Sequence, residues 1–331
     1  MEQPRDWQFL SREDYVSTTR RSSTCVLLTG VASGLGLATA RMLVHEGMHV
    51  IGLDREAGAL DVLAAELGCR FRPVACDVAN VASVAQASRV VASMQPDGLD
   101  AIVHFAGLHS AGALMDLVEG EFARVLDVNV SGVWRVQRAF FSLLQLRRGR
   151  TLLISSEVAR ARFCHAFSGA YALSKVCLDH FAVALRQELQ LLQPPMDVVV
   201  LHLGMFATPM LGRATTCFGA AAERQPASPF APALLACDAL VRWYCHPGTA
   251  DHTARFSPER VAQKVLEVLE VRRPRNLYTL NVSWAMRLVA LIPSAVLDVA
   301  IVSGLRAQLY GGGLAAREAL TALLTAVAYL F

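Results

Sequence analysis

The stretch Cys25-Val26-Leu27-Leu28-Thr29-Gly30-Val31-Ala32-Ser33-Gly34-Leu35-Gly36 restricts the fold more than any other part of the chain. An apolar run of strand length breaks at glycines and passes straight into the helical pattern Leu37 to Glu46, which predicts a strand, a tight turn and a helix start. At such a turn backbone N–H groups can approach a ligand closely, and the helix N-terminus favours negative charge, so the local geometry suits a pyrophosphate. A second strand, His49 to Leu53, ends in Asp54, an acid placed to meet ribose hydroxyls.

Strand-like apolar blocks alternate with helical patterns along the following sequence. We read strands at 25–29, 49–53, 71–75, 100–104, 151–155 and 197–202, with a seventh at Asn276 to Leu280. This alternation predicts a doubly wound α/β fold, a parallel sheet of about seven strands with helices on both faces. The 331 residues suffice for a large core in one such domain. We divide the chain into a polar N-terminal arm (1–23), a main domain (24–282) and a hydrophobic, helical C-terminal extension (283–331). The net charge of +3 comes with scattered arginines and gives no reason to expect nucleic acid.

Of the 31 Lys and Arg residues only two are lysines, Lys175 and Lys264. Position 175 therefore wants a compact ammonium with three rotatable donors, where a planar guanidinium serves elsewhere. It closes Tyr171-Ala172-Leu173-Ser174-Lys175, which on a helix puts Lys175 one turn from Tyr171, close enough to lower the pKa of the phenol. A phenol so placed can exchange a proton with a substrate hydroxyl.

Together these motifs resemble the short-chain dehydrogenase/reductase family, over most of the chain. The resemblance implies a Rossmann-type sheet and a dinucleotide held by Thr29, Gly30, Ser33, Gly34, Leu35 and Gly36, with Asp54 at the adenosine ribose and Asp77-Val78 at the adenine. The family's Asn-Asn-Ala-Gly turn reads His104-Phe105-Ala106-Gly107 here, so only Ala106 and Gly107 are carried over. Its Pro-Gly turn after the sixth strand is Leu203-Gly204, and Thr208 matches the threonine that meets the nicotinamide amide. The implied catalytic set is Asn129, Ser156, Tyr171 and Lys175, with Ser155 the alternative to Ser156. Tyr171 and Lys175 would also touch the cofactor. The implied cofactor is NAD, because Asp54 repels a 2′-phosphate and Ser33 stands where NADP-using relatives often carry a basic residue; Arg55 is the one residue favouring NADP.

Eight cysteines show no paired spacing and nine histidines no cluster, so we expect a reduced intracellular protein without disulfides or a metal. His109 and His165 are read as surface or wall histidines, and Arg160 and Arg162 as solvated loop charges. The segment 205–256, rich in Pro and aromatics and without evident helical or strand regularity, is the expected substrate lid. The pair Ser257-Pro258 then opens an amphipathic helix. The tail resembles those of retinol and 17β-hydroxysteroid dehydrogenases. The run from Val282 to Leu305 carries Arg287, Pro293 and Asp298, and the run from Ala319 to Phe331 is short, so neither meets the requirement for a membrane span. We expect burial of the last helix in the protein, with peripheral membrane contact as the alternative. Residues 1–23 show no apolar h-region, so we expect the protein in the cytoplasm or peripherally at a membrane, not secreted.

The function implied is an NAD-dependent oxidoreductase interconverting a hydrophobic alcohol (steroid, retinoid or other lipid-like) and its ketone or aldehyde. The alternatives are an NADPH-dependent carbonyl reductase and a non-catalytic dinucleotide-binding protein. A homodimer or homotetramer is expected through the helical regions 116–148 and 169–192, where Val133, Trp134, Val136, Phe140, Phe141, Leu143 and Leu144 exceed one core-facing stripe.

Overall fold

The computed structural model describes residues 22–160, 166–244, 256–281 and 302–303. Its strands are β1 (Cys25–Thr29), β2 (His49–Asp54), β3 (Phe71–Ala75), β4 (Ala101–His104), β5 (Arg150–Ser156), β6 (Val198–Leu203) and β7 (Leu277–Leu280). All pair in parallel, in the order β3-β2-β1-β4-β5-β6-β7. Each lies within one residue of its position in the sequence reading.

Alternation of side chains across the sheet divides the core in two. Leu27, Ile51, Leu53 and Leu153 face a layer built from α3 (Val81–Met94), α5 (Gly132–Leu146) and α7 (Gly169–Leu189). Val26, Leu28, Val50 and Leu152 face the opposite layer of α1 (Gly34–His45), α2 (Ala57–Leu67) and α10 (Glu259–Glu270). Because both faces are covered, the central strands read as unbroken apolar runs, as a buried parallel sheet requires. Cys25 and Cys76 belong to the first core, and burial pushes their thiols up to about 12 and about 11, so they behave as small apolar side chains.

The strand order reverses at β1. The chain runs outward from β1 through β2 to β3, then returns to place β4 on the other side of β1. The following connections diverge there and leave a crevice at the C-terminal ends of β1 and β4, where ligands of such sheets bind.

Two sequence readings need correction. The lid is not irregular: α8 (Pro209–Arg224) and α9 (Ala231–Tyr244) form a packed helical pair. The prolines misled because Pro209 occupies the first turn of α8, where a missing N–H costs nothing, and Pro232 lies likewise in the first turn of α9. The region 116–148 holds the long helix expected there, continuous from Glu119 to Leu146, with a widened turn at Asp127–Ser131 joining α4 (Glu119–Leu126) to α5. The apolar surplus on α5 is not a second exposed face, since Val133, Val136, Phe140, Leu143 and Leu144 are buried and Phe141 packs against the same core. Packed against α3 and β4, α5 is covered on more than one side. Trp134 alone of the seven is largely exposed, its ring 5.3 Å from the Arg138 guanidinium.

No helix among the described residues is long and apolar enough to cross a membrane. The N-terminal arm up to residue 21, Arg162, His165, lid residues 245–255 and nearly all of the C-terminal extension lie outside the described residues.

Candidate active site

The glycine turn is built by contact between backbones. Gly30 donates its N–H to Leu53 O at 2.8 Å and adopts φ +73°, and a Cβ there would lie 2.8 Å from Ala106 N. At Gly36 a Cβ would lie 2.1 Å from the carbonyl oxygen of Gly30, so the first turn of α1 packs directly on the end of β1. Thr29 Oγ1 accepts from Ala106 N at 3.1 Å and ties the two lips of the crevice together. Ser33, at the head of α1, makes no side-chain cap, and Gly34 and Leu35 follow it. The helix therefore begins without a side chain over its first N–H groups, as an anion site requires.

Asp54 closes one end of this turn. Its carboxylate accepts from Ala32 N at 2.9 Å and from Glu56 N at 3.1 Å, so it stands against the glycine turn with fixed orientation. Arg55 is exposed and paired with Glu56 at 3.1 Å. Asp77 Oδ1 accepts from Ala79 N at 2.9 Å, and Val78 is buried against Gly132. These parts fit a dinucleotide: the backbone cradle would meet its pyrophosphate, and Asp54 its adenosine ribose.

Two residues of the proposed cofactor set have additional structural reasons. Gly204 leaves room for the chain after β7, since a Cβ would lie 2.2 Å from Asn281 O. Thr208 Oγ1 accepts from Leu211 N at 3.3 Å as the cap of α8, while its methyl group side faces Gly34. Lid and glycine turn thus meet at Thr208.

Across the crevice, α7 presents Tyr171 and Lys175 on one face. Tyr171 is half-buried, with the His109 ring 4.9 Å from its own at 56°. The two serines separate clearly. Ser156 hydrogen-bonds the Tyr171 side chain, whereas Ser155 Oγ donates to Asp179 Oδ1 at 2.6 Å. Of the two, Ser156 is therefore the one that meets Tyr171. Lys175 Nζ donates to Ile154 O at 2.8 Å and lies 5.6 Å from the Tyr171 ring centroid.

The electrostatics differ from the sequence expectation. Burial pushes the Tyr171 phenol up to about 12; the Ser156 hydrogen bond opposes this and the Glu157 carboxylate adds to it. Burial also pulls the Lys175 ammonium down to about 8, opposed by Asp179. Desolvation thus outweighs the charges at both groups, and the phenol lies above, not below, its ordinary value. At neutral pH, without ligand, Tyr171 is an acid and Lys175 is largely cationic.

Asn129 lies in the widened turn, a kind of helix irregularity that recurs at functional sites. Its Nδ2 donates to Leu108 O and to Ser174 Oγ, both at 2.9 Å, and its Oδ1 accepts from Leu108 N at 2.7 Å. Both amide N–H bonds are thus engaged in clamping the loop after β4 onto α7. Gly107 packs on the same amide. His104 turns into the core, with Nε2 3.3 Å from Gln137 Oε1, and burial pulls its imidazole down to about 4.

Three neighbours had not been singled out in the sequence. Glu157, next to Ser156, is buried with no hydrogen-bond partner at Oε2 among the described residues, and burial pushes its carboxyl up to about 7. Asp179 lies one turn beyond Lys175, so the Tyr171–Lys175 spacing extended by four residues would have found it. His202, whose Nε2 is 2.6 Å from Asp179 Oδ2, comes from β6 through sheet register, which no local pattern reveals.

Helices α8 and α9, in the segment expected to be a lid, cover the loop after β4. Ala111 and Phe167 pack with Phe218, Ala221, Ala222 and Leu234 of α8 and α9. Gln225 Nε2 donates to Asp116 O at 2.7 Å, and Ser228 Oγ to Asp116 Oδ2 at 2.5 Å, so the lid is tied to the loop that carries His109. Leu114, Met115, Val118 and Phe230 remain exposed near this junction.

Several known proteins are similar to this chain. Serine 3-dehydrogenase of Rhizobium radiobacter is 33% identical over 171 residues, covering 50% of this chain and 66% of that protein. Human retinol dehydrogenase 16 is 31% identical over 185 residues, covering 55% and 57%. The chain thus spans less than two thirds of the length of these relatives. Among solved structures, a short-chain dehydrogenase/reductase from Burkholderia phymatum in complex with NAD superposes with a TM-score of 0.67 at 20% identity, covering 83% of this chain and 94% of that one. An alcohol dehydrogenase from Thermococcus sibiricus complexed with 5-hydroxy-NADP gives 0.61 at 24% identity, covering 78% and 95%. Residues 24–216, from β1 into the lid, match the family model described as short chain dehydrogenase. With the glycine turn, the parallel sheet and the Tyr-Lys helix in one frame, the chain belongs to the short-chain dehydrogenase family.

Proposed function

We propose that the protein is an NAD-dependent oxidoreductase that interconverts a hydrophobic alcohol and its ketone or aldehyde. The observation that carries this reading is the convergence of Ser156, Tyr171 and Lys175 across the crevice from the glycine turn. A bound nicotinamide supplies the carbon that takes or gives the hydride. In oxidation the Tyr171 phenolate accepts the hydroxyl proton as the carbinol hydrogen leaves as hydride, and in reduction the phenol returns that proton to the carbonyl oxygen. Ser156 donates a hydrogen bond to the substrate oxygen and stabilises its developing charge. Lys175, with one donor on Ile154 O, keeps two for the nicotinamide ribose. Asn129 holds the loop and helix in register, and a water relay to Lys175 would use its oxygens.

NAD is favoured over NADP by the fixed Asp54 carboxylate, and the Arg55 guanidinium is engaged by Glu56. Fluorescence titration should give NAD at least about tenfold tighter binding than NADP, with the preference relaxed in Asp54→Ala. Equal or tighter NADP binding in the parent protein would overturn the cofactor assignment. Gly36→Ala tests the cradle. Its methyl group meets backbone that cannot yield like a side chain, so NAD binding should fall at least about tenfold and stability by about 1–3 kcal/mol. Unchanged NAD titration and thermal unfolding would show that the cradle is not where the dinucleotide sits.

The apolar rim of Leu114, Met115 and Phe230 beside the lid supports a lipid-like substrate, a class that the retinol dehydrogenase relative's name also suggests. Serine 3-dehydrogenase is the polar counterexample, so serine belongs in the test panel. We also propose self-association, supported by the family and by exposed Trp134, Leu173 and Val183, and peripheral membrane contact through the C-terminal extension.

A further inference from the structure

Three consecutive residues at the end of β5 each hold one successive turn of α7. Ser156 bonds the Tyr171 side chain, Ile154 O accepts from Lys175 Nζ at 2.8 Å, and Ser155 Oγ donates to Asp179 Oδ1 at 2.6 Å. Tyr171, Lys175 and Asp179 are spaced four residues apart and so share one helix face. The third rung differs from the others because it is doubled. The other Asp179 oxygen accepts from His202 Nε2 on β6 at 2.6 Å, and Ser155 and His202 are direct neighbours across the sheet.

The geometry points to Asp179 as a positioning residue for the site: bound to β5 and β6 at once, it fixes the register of α7 and places a negative charge one turn behind Lys175. This inference rests on the oxidoreductase reading for the role of Lys175. Core packing of Leu178 and Ala182 and the Asn129–Ser174 bond hold the body of α7. Asp179 adds a tie to both strands beside Lys175, in a site where displacements of about 1 Å are costly. It also acts on the ammonium. Burial works against the Lys175 charge, and the Asp179 carboxylate opposes burial. Among the described residues, the titratable groups around this corner are Tyr171 and Asp179 on α7, Glu157 on α6 (Glu157–Arg160), His202 on β6 and His109 in the loop after β4. Among them only Asp179 acts upward on Lys175.

Asp179→Asn keeps the shape and an acceptor for Ser155 but removes the charge, while Ser155→Ala removes one hydrogen bond and keeps the charge. NAD affinity measured by fluorescence from acid to alkaline pH needs no substrate and so reads Asp179 separately from turnover. In the parent protein affinity should decline as Lys175 loses its proton, near pH 8. In Asp179→Asn the decline should begin about one pH unit lower, with NAD binding near pH 8 weakened severalfold. Ser155→Ala should leave the position of this decline where the parent has it. An Asp179→Asn profile superimposable on the parent's, or the same displacement in Ser155→Ala, would overturn the inference. If NAD binds as expected but no alcohol is oxidised, the oxidoreductase reading fails while the Asp179 result stands. Should Asp179→Asn not fold, Asp179→Glu keeps the charge and is expected to retain the parent profile; a displaced profile there would count against the inference.

Discussion

Tyr171→Phe should bind NAD with nearly the parent affinity and turn over at least about 10²-fold more slowly, the loss typical of removing a general acid or base. The substitution deletes one oxygen and leaves the ring, so the contact with His109 and the packing at the start of α7 persist. What disappears is the one group among the described residues that is hydrogen-bonded to Ser156 and can pass a proton to or from the substrate oxygen. Because burial pushes the phenol up to about 12, the parent enzyme should reduce carbonyls readily near neutral pH and oxidise alcohols faster as the solution becomes alkaline. The sign follows from the roles: reduction needs the protonated phenol and oxidation the phenolate. In Tyr171→Phe this opposition between the two directions should vanish from the pH profiles. A near-parent rate on a confirmed substrate would remove Tyr171 from the mechanism.

Lys175→Arg should be almost as damaging, although it conserves charge. The ammonium is buried and donates to Ile154 O at 2.8 Å, inside a space shaped for a compact group. A guanidinium is larger, planar and unable to aim its donors independently, so it must displace the end of β5 or leave the ribose position. We expect kcat/KM to fall by about 10² or more, with NAD affinity lowered as well, because a misplaced chelating group costs both orientation and binding. Steady-state kinetics and NAD titration on the same preparation check this. An Arg variant with parent affinity and rate would show that charge alone is required at position 175.

Much of this site was legible because its chemistry is written locally. The glycine turn, Asp54, Tyr171 and Lys175 each lie in a short segment whose spacing fixes its geometry, and the buried parallel strands announce themselves as apolar runs. Which of Ser155 and Ser156 meets Tyr171 was not legible, because it depends on how the end of β5 lies against α7. Asp179 was within reach of the helical spacing, but its partner His202 depends on strand pairing between β5 and β6. The pKa of Tyr171 was misjudged for a related reason. Sequence displays the neighbouring charge of Lys175 but not the burial that outweighs it. Proline was the other misleading signal, since its count in the lid suggested irregularity where its position in the first turns of α8 and α9 supports helices.

The central claim is tested most directly by mixing the protein with NAD and a panel of sterols, retinoids, long-chain alcohols and serine, and following the absorbance of reduced nicotinamide. Reduced cofactor should accumulate with at least one of the hydrophobic alcohols, and Tyr171→Phe should abolish that signal while still binding NAD in titration. Failure of the parent protein to bind either dinucleotide, or turnover undiminished in Tyr171→Phe, would contradict it.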